Sequence, residues 1–321
     1  MNLLAVNWNF DILPDFIFNG LSLGAIYAVV ALALVLIFKA TTLINFAQGE
    51  LAMLGAFFVY VLNIEQGIWL WLSIVIGMIL TAGLGALVER TLVRPFDPDD
   101  HLPVVLITLG LFLIINAVAG DIWNYQVRFV NDPFGKFPSW VPSVGGDRFV
   151  EVLGTRLKYQ TIGIWITLAL VLFGLGLLLN RTKVGLAFRA VSSNVESARL
   201  VGVNTGRTLG FGWALASAFG TLGAALVAPS LGGVNPNMMA FILIYSLAGA
   251  ALGGLDSLGG AVLGGVIVGL IQSVVVSWFG VVVLEQAYMS ILQLAAAFVV
   301  ILIVLLFRPA GLFGTRKIER V

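Results

Sequence analysis

Long apolar runs, each of about 20 residues, constrain this chain more than any other feature. A helix needs about 20 mainly apolar residues to cross the roughly 30 Å hydrocarbon core of a membrane. With 60% hydrophobic and only 10% charged residues, a soluble fold could not bury the apolar surface. We predict an all-α, polytopic transmembrane helix bundle with about eight or nine spans, some short or broken. The candidate spans are Phe16–Phe38, Leu43–Leu62, Ile68–Val88, Leu102–Gly120, Tyr159–Leu179, Thr208–Leu231, Met238–Leu255, Leu258–Leu284 and Ala287–Phe307.

The distribution of basic residues predicts the orientation, because cytoplasmic loops are enriched in Lys and Arg. Placing the stretch around Arg189 inside puts 12 of the 17 Lys and Arg residues on the cytoplasmic side. The N-terminus is then outside and the C-terminus is cytoplasmic. The other five basic residues fall in Asp121–Lys158, an extracytoplasmic loop with a predicted hairpin around Gly154. This loop is either a folded cap over the helices or a docking face for a soluble outer partner.

Composition excludes several classes of site. The absence of cysteine and the single histidine, His101, rule out disulfides, thiolate chemistry and Cys or His metal clusters. A net charge of +1 offers no field suited to nucleic acid. The sequence has no G-x-x-x-x-G-K-[ST] phosphate loop, so ATP binding of that kind is not expected. It has no nucleophile motif either, and we predict no enzyme activity and no cofactor or metal on this chain.

The second candidate span is unusual because Asn45, Gln48 and Glu50 lie at its start. Only 14 residues separate Glu50 from Glu65, which corresponds to about 21 Å of helix and is short of a membrane core. Either these polar side chains face protein or a water-filled path, or the helix is broken near Gly49. For Glu50 we favour the first turn of a helix, where the macrodipole stabilises a carboxylate.

Glycines recur at four-residue spacing in Gly249–Gly269, which lets helix backbones approach closely. The pairs are 249/253, 260/264 and 265/269. Asp256 follows a glycine pair and is the one charged residue between Met238 and Leu284. We interpret Asp256–Ser257 as a turn with a helix cap.

The stretch Lys183–Arg207 is predicted to contain an amphipathic cytoplasmic helix that runs on from Arg189 and ends at Gly202. Glu196 and Arg199 are three residues apart and can pair weakly. Two interpretations stay open: a helix lying flat at the lipid interface, or a small-residue helix that fits a groove on another protein. A helical projection places six apolar residues together: Ala190, Val191, Val195, Ala198, Leu200 and Val201.

Taken together, these segments resemble the permease subunits of bacterial ABC importers for branched-chain amino acids. The resemblance implies a single transmembrane permease domain, residues 1–321, in the bacterial plasma (inner) membrane, working by alternating access. ATP and Mg would be bound by two cytoplasmic ATPase subunits, not by this chain. The matching segments cover the chain nearly end to end: Asn19–Ala28, Asn45–Gly55, Arg189–Asn204, Gly253–Gly265 and Arg308–Phe313.

The resemblance also implies the remaining partners and the site residues. A second permease subunit, identical or different, would complete the path, an extracytoplasmic binding protein would deliver substrate, and lipid would surround the helices. The coupling helix that docks on the ATPase would comprise Arg189, Asn194, Glu196, Ala198, Arg199 and Gly202. As candidates to line the translocation path we take Asn45, Gln48, Glu50, Ser246 and Asp256.

The implied substrate is leucine, isoleucine, valine or a related amino acid. Permeases of similar sequence for urea or short amides give one alternative. A secondary carrier driven by ions is another, but that class usually needs ionisable groups buried in the middle of the membrane. Only Glu50 and Asp256 qualify, and both are predicted near helix ends.

Overall fold

The computed structural model describes residues 10–96, 101–135, 143–144, 147–152, 155–283, 292–308 and 310–314. Within these ranges the α-helices are α1 (Leu13–Thr41), α2 (Gln48–Tyr60), α3 (Leu70–Val88), α4 (His101–Trp123), α5 (Tyr159–Arg181), α6 (Lys183–Ser193), α7 (Val195–Leu200), α8 (Thr205–Val227), α9 (Ala240–Gly253), α10 (Leu258–Leu270) and α11 (Leu292–Phe307). Turns of 3-10 helix lie at Phe10–Ile12 and Ala228–Leu231, and π-helix occurs at Val61–Glu65, Glu89–Val93 and Ile271–Val283.

Six helices among the described residues are long and apolar enough to cross a membrane, which confirms a helical membrane bundle. They are Phe10–Thr41, Leu70–Val93, Leu102–Trp123, Tyr159–Arg181, Thr205–Leu231 and Leu258–Gly280. Two shorter apolar helices are Ala240–Gly253 and Leu292–Val304. The count of eight or nine spans and the orientation of the termini stay predictions.

The helix of the second predicted span, Leu43–Leu62, begins later in the structure than predicted. The chain leaves α1 through Thr42, which has a φ of 57°, and becomes helical again only at Gln48. A break was expected near Gly49, but Gly49 lies inside α2 and the non-helical stretch is residues 42–47. The 13 residues of α2 rise about 20 Å. The predicted boundary between the last two spans, near residues 284–287, lies outside the described residues.

The hairpin predicted within Asp121–Lys158 is confirmed. Strand β2 (Asp147–Val152) pairs antiparallel with β3 (Thr155–Lys158), with Phe149 opposite Lys158 and Val152 opposite Thr155. A short strand, β1 (Ser143–Val144), pairs with the other edge of β2. Residues 153–154, at the predicted turn, lie outside the described part of the chain.

The chain divides into two compact units. The first unit comprises Met1–Ala31, Asp132–Leu168 and Ile244–Val321, and the second comprises Leu32–Asn131 and Ala169–Leu243. Three of the four boundaries fall inside α1, α5 and α9, so each of these helices contributes to both units. The prediction of one permease domain is not tested by this division.

The core of the second unit is built by α2, α3 and α8, which pack closely because small residues line their contacts. Thr81 of α3 and Thr221 of α8 share a hydrogen bond of 2.7 Å between their hydroxyls. A Cβ atom at Gly85 would lie 2.8 Å from the carbonyl oxygen of Trp213, and one at Gly77 would lie 2.8 Å from Val59. Larger residues would force these backbones apart.

In the first unit, α10 packs between α9 and the first part of α1, and the predicted glycine contacts are confirmed. A Cβ at Gly249 would lie 2.7 Å from the Cα of Gly265, and one at Gly24 would lie 2.7 Å from the Cα of Val266. Ser257 caps α10 by accepting a 3.1 Å hydrogen bond from the amide of Gly260, which confirms the cap predicted at Asp256–Ser257.

A buried polar chain fastens the other end of α10 in the first unit. The Tyr27 hydroxyl donates a 2.5 Å hydrogen bond to Oε1 of Gln272. The Gln272 side-chain amide in turn donates to Oε1 of Gln293 on α11 at 3.2 Å. Three segments far apart in sequence are thus joined by side chains that find partners away from lipid.

Candidate functional site

The Lys183–Arg207 segment forms two short helices, not the one continuous helix predicted from the sequence. Asn194 separates them, because its backbone is extended, with φ −158° and ψ 115°. Its side-chain oxygen accepts a 2.7 Å hydrogen bond from the amide of Ser197, the usual role of Asn before a helix. The side chain of Asn194 therefore starts α7 at the cost of ending α6, and the prediction of a single helix was wrong.

The end of α7 agrees with the prediction for Gly202. Its φ is +84°, a left-handed conformation that glycine adopts without strain. The amide of Gly202 donates to the carbonyl of Arg199, and the amide of Val203 donates to the carbonyl of Ala198, both at 3.0 Å. These two bonds form a Schellman motif, which satisfies the last carbonyls of the helix.

Buried side chains hold this segment against neighbouring helices of the second unit. Phe188 and Val191 of α6 and Ala198 of α7 are buried. The Phe188 ring lies against α8, where a Cβ at Gly212 would be 3.0 Å from it. Gly185 lies so close to the backbone at the end of α5 that a Cβ there would collide with Leu179.

The tip of the segment is exposed and apolar, which the helical projection did not predict. Leu200 is 89% exposed and Val201 is 78% exposed, although the projection placed both with the buried Val191 and Ala198. The break at Asn194 is the physical reason, since it rotates the residues after it out of register with α6. Arg189, Glu196 and Arg199 are exposed. Arg199 donates from Nε to the Thr205 hydroxyl at 3.3 Å instead of pairing with Glu196.

Asn45 and Gln48 lie together at the start of α2 in the second unit, and both are buried. The side-chain amide of Gln48 donates a 2.9 Å hydrogen bond to the carbonyl of Ala216 on α8. The Asn45 side chain accepts a 3.0 Å hydrogen bond from the amide of Ala47. Asn45 therefore stabilises the start of α2, and Gln48 ties that start to α8.

Glu50 lies on the first turn of α2, as predicted, and is 2% exposed. Asn116 of α4 donates a 3.4 Å hydrogen bond to its carboxylate and a 3.0 Å bond to the carbonyl of Pro236. The Tyr125 hydroxyl donates to Oδ1 of Asn116 at 3.2 Å. Sequence reasoning missed Asn116, although an amide inside the apolar run Leu102–Gly120 was a signal.

Ser246 and Asp256, the other path candidates, lie in the first unit, whereas Asn45, Gln48 and Glu50 lie in the second. Ser246 is fully buried, and its hydroxyl has no hydrogen-bond partner among the residues that the structure describes. Asp256 is half-buried in the turn between α9 and α10. That these five residues line a path stays a prediction.

An ion pair that the sequence did not predict lies at the end of α3. Glu89 is 1% exposed and pairs with Arg94, whose side chain is 38% exposed. The hydrogen bond to Glu89 raises the pKa of Arg94 above its ordinary value, so the guanidinium stays charged.

Known proteins match the chain over most of its length. A family model described as a branched-chain amino acid transport system permease component matches residues 16–307. The permease protein BraD of a high-affinity branched-chain amino acid transport system of Pseudomonas aeruginosa is 27% identical, covering 94% of this chain and 96% of its own length. The corresponding protein LivH of Escherichia coli K12 is 24% identical, covering 95% and 96%.

A permease for a different substrate also matches, over a shorter stretch. The galactose/methyl galactoside import permease protein MglC of Escherichia coli K12 is 26% identical, covering 60% of this chain and 65% of its own length.

Proposed function

This chain belongs to the family of branched-chain amino acid transport permease components, and we propose that it is the membrane-spanning subunit of an ATP-driven importer for leucine, isoleucine, valine or related amino acids. The match over residues 16–307 carries this proposal. The two relatives named for branched-chain amino acids align with at least 94% of the chain, against 60% for the galactose permease and 85% for a fructose import permease of Bifidobacterium longum. That difference favours an amino acid over a sugar.

The arrangement in the membrane follows from the same proposal. The two shorter apolar helices, α9 and α11, together with the short helix α2, would add to the six long ones to give nine spans. The distribution of Lys and Arg supports a cytoplasmic position for the Lys183–Arg207 segment and the C-terminus, with Asp121–Lys158 outside. The chain would then be a single permease domain of the bacterial inner membrane.

The Lys183–Arg207 segment is proposed to receive the ATPase subunits. It is held at its base by Phe188 and Val191 and exposes Leu200 and Val201 at its tip. A pair of apolar side chains on a rigid turn is suited to a pocket on another protein. Around this tip, Arg189, Asn194, Glu196, Arg199 and Gly202 would complete the docking surface, with Ala198 packed beneath it.

Two ATPase subunits would bind ATP and Mg and close on each other, and the displacement of the docked segment would repack the helices. A second permease subunit would complete the path, and an extracytoplasmic binding protein would release substrate into it. Asn45, Gln48, Glu50, Ser246 and Asp256 are the proposed path residues. The scarcity of charge along the helices suits a substrate with an apolar side chain.

Purification of the tagged chain in mild detergent from its native membrane, with mass spectrometry of the associated proteins, tests the proposal. We expect two ATPase subunits and a permease partner, and ATP-dependent leucine uptake when the complex and its binding protein are placed in liposomes. Competition by valine but not by urea or acetamide distinguishes amino acids from short amides. Uptake by the isolated chain under a proton gradient would instead establish a secondary carrier.

Replacing Gly202 with valine is expected to lower ATP-dependent uptake several-fold while the protein still folds. The positive φ of Gly202 costs a residue with a Cβ about 1–2 kcal/mol, which distorts the end of α7 and the docking surface. Asparagine tolerates this conformation, so Gly202→Asn is the matched control and should keep most of the uptake. Equal uptake by the valine and asparagine variants would contradict the docking role.

A further inference from the structure

Two side-chain hydrogen bonds join Glu89 and Arg94. Nε of Arg94 donates to Oε1 of Glu89 at 3.1 Å, and Nη2 donates to Oε2 at 2.5 Å. The pair is therefore bidentate, the arrangement in which guanidinium and carboxylate planes are held most firmly. The π-helical turn Glu89–Val93 also joins both residues, since the amide of Arg94 donates to the carbonyl of Glu89 at 2.7 Å.

Arg94 makes a third side-chain hydrogen bond, to a residue on a different helix. Its Nη2 also donates a 2.6 Å hydrogen bond to the carbonyl oxygen of Gly206, in the first turn of α8. The end of α3 is thus tied to Gly206, which is next to the last residue of the Lys183–Arg207 segment. Both helix ends belong to the second unit.

The surface of α8 is shaped to receive this ion pair. A Cβ at Gly206 would lie 3.1 Å from Cζ of Arg94, and a Cβ at Gly210 would lie 3.1 Å from Oε2 of Glu89. The two glycines are four residues apart and lie on one face of α8. They form a groove in which both charged groups lie against the helix backbone.

The Lys183–Arg207 segment is attached to the same turn of α8. Arg199 of α7 donates from Nε to the hydroxyl of Thr205, the first residue of α8. Asn204 caps α8 by accepting a 3.0 Å hydrogen bond from the amide of Arg207. A displacement of α7 therefore acts on the turn that Arg94 holds.

The connection is also stiff. A carboxylate as buried as Glu89 is stable only while it is paired, because an isolated buried charge has lost its hydration. Moving α8 away from α3 would separate Arg94 from either Gly206 or Glu89. The first turn of α8 and the end of α3 are thus expected to move together.

We propose that the Glu89–Arg94 pair, seated on Gly206 and Gly210, transmits displacement of the Lys183–Arg207 segment to α3. Glu89 and Arg94 are positioning residues in this role and contact neither ATP nor substrate. The inference rests on the proposed function, since it assigns a route to the motion that ATPase subunits would impose. It requires no new partner and no change in protonation.

The test compares Arg94→Lys with wild type in the complete complex in liposomes. Lysine keeps the positive charge beside Glu89, but its single ammonium lacks the planar fork that reaches Glu89 and Gly206 together. We expect ATP hydrolysis to stay within about 2-fold of wild type and uptake to fall about 10-fold, since a hydrogen bond to a charged group is lost. Arg90→Lys is the matched control, because Arg90 is an exposed residue of the same π-helical turn. It should change neither quantity.

Other outcomes overturn the proposal. If uptake and hydrolysis fall together, in proportion to the amount of assembled complex, the pair only supports the fold. If Arg94→Lys transports like wild type, the connection is not needed. Should wild type itself show no ATP-driven uptake, the proposed function fails and the inference fails with it, a result distinct from the first two.

A distance measurement gives a second readout that does not depend on uptake. The chain has no cysteine, so Leu87→Cys on α3 and Arg207→Cys on α8 can carry a pair of spin labels. We expect the label distance to stay constant when ATP binds to the complex, and to change or broaden in the Arg94→Lys background. A distance that changes with ATP in the presence of Arg94 would contradict the coupled movement of the two helix ends.

Discussion

Replacing Gly264 with alanine is expected to destabilise the protein by about 3 kcal/mol, the upper part of the range for overpacking a closely packed contact. The new Cβ would collide with the carbonyl oxygen of Gly249 and lie 2.8 Å from the amide nitrogen of Gly253. Both atoms belong to the backbone of α9, so no side chain can rotate away. Thermal unfolding of the purified protein in detergent measures the effect.

Gly259→Ala is the matched control for this change. Gly259 lies on the same helix, and a Cβ there has no heavy atom within 4 Å. Alanine is favoured over glycine inside a helix by roughly 0.5–1 kcal/mol, so this variant should unfold at the same temperature as wild type or slightly higher. A similar loss of stability in both variants would contradict the close packing of α9 on α10.

Replacing Leu200 with glutamate is expected to reduce the recovery of ATPase subunits with the chain by at least about 10-fold. The proposed docking places this 89% exposed side chain in an apolar pocket, where a carboxylate would be buried without a partner. Because Leu200 contacts solvent in the isolated chain, the fold and the unfolding temperature should not change. Affinity purification with quantitative mass spectrometry measures the recovery.

Leu200→Met keeps the size and the apolar character of the side chain and serves as the control for this experiment. It should recover the ATPase subunits at nearly the wild-type amount, since such swaps usually cost little. The proposal would be contradicted if the glutamate variant kept its ATPase subunits at the wild-type amount. If it also bound lipid vesicles less tightly, α7 would be a helix of the lipid interface.

The spanning helices were predictable because length and apolar character alone define them in a membrane. The same reasoning located the break before α2 and the close glycine contacts of α9 and α10. It could not place α7 correctly, because a helical projection assumes an unbroken helix. The side chain of Asn194 accepts a hydrogen bond from a backbone amide in the first turn of α7. This single bond decides between continuing α6 and starting a new helix.

The Glu89–Arg94 pair was missed for a geometric reason. Side chains three or four residues apart meet on an α-helix, whereas these two are five apart. The π-helical turn Glu89–Val93 adds a residue to the turn and brings the fifth residue into line. The contact between Glu50 and Asn116 joins residues 66 apart and has no local pattern, so it required the folded helices.

The packing of α10 against the first part of α1 has a consequence for biosynthesis. Tyr27 and Gln272, which are hydrogen-bonded, are 245 residues apart. At the usual elongation rate of about 5–20 residues per second, α1 waits roughly 12–50 s in the bilayer before α10 is made. During that interval Gly20 and Gly24 of α1 lack the backbone of α10 that covers them in the folded chain. We expect nascent chains that stop before residue 272, and so lack the Tyr27–Gln272 hydrogen bond, to be degraded by membrane proteases.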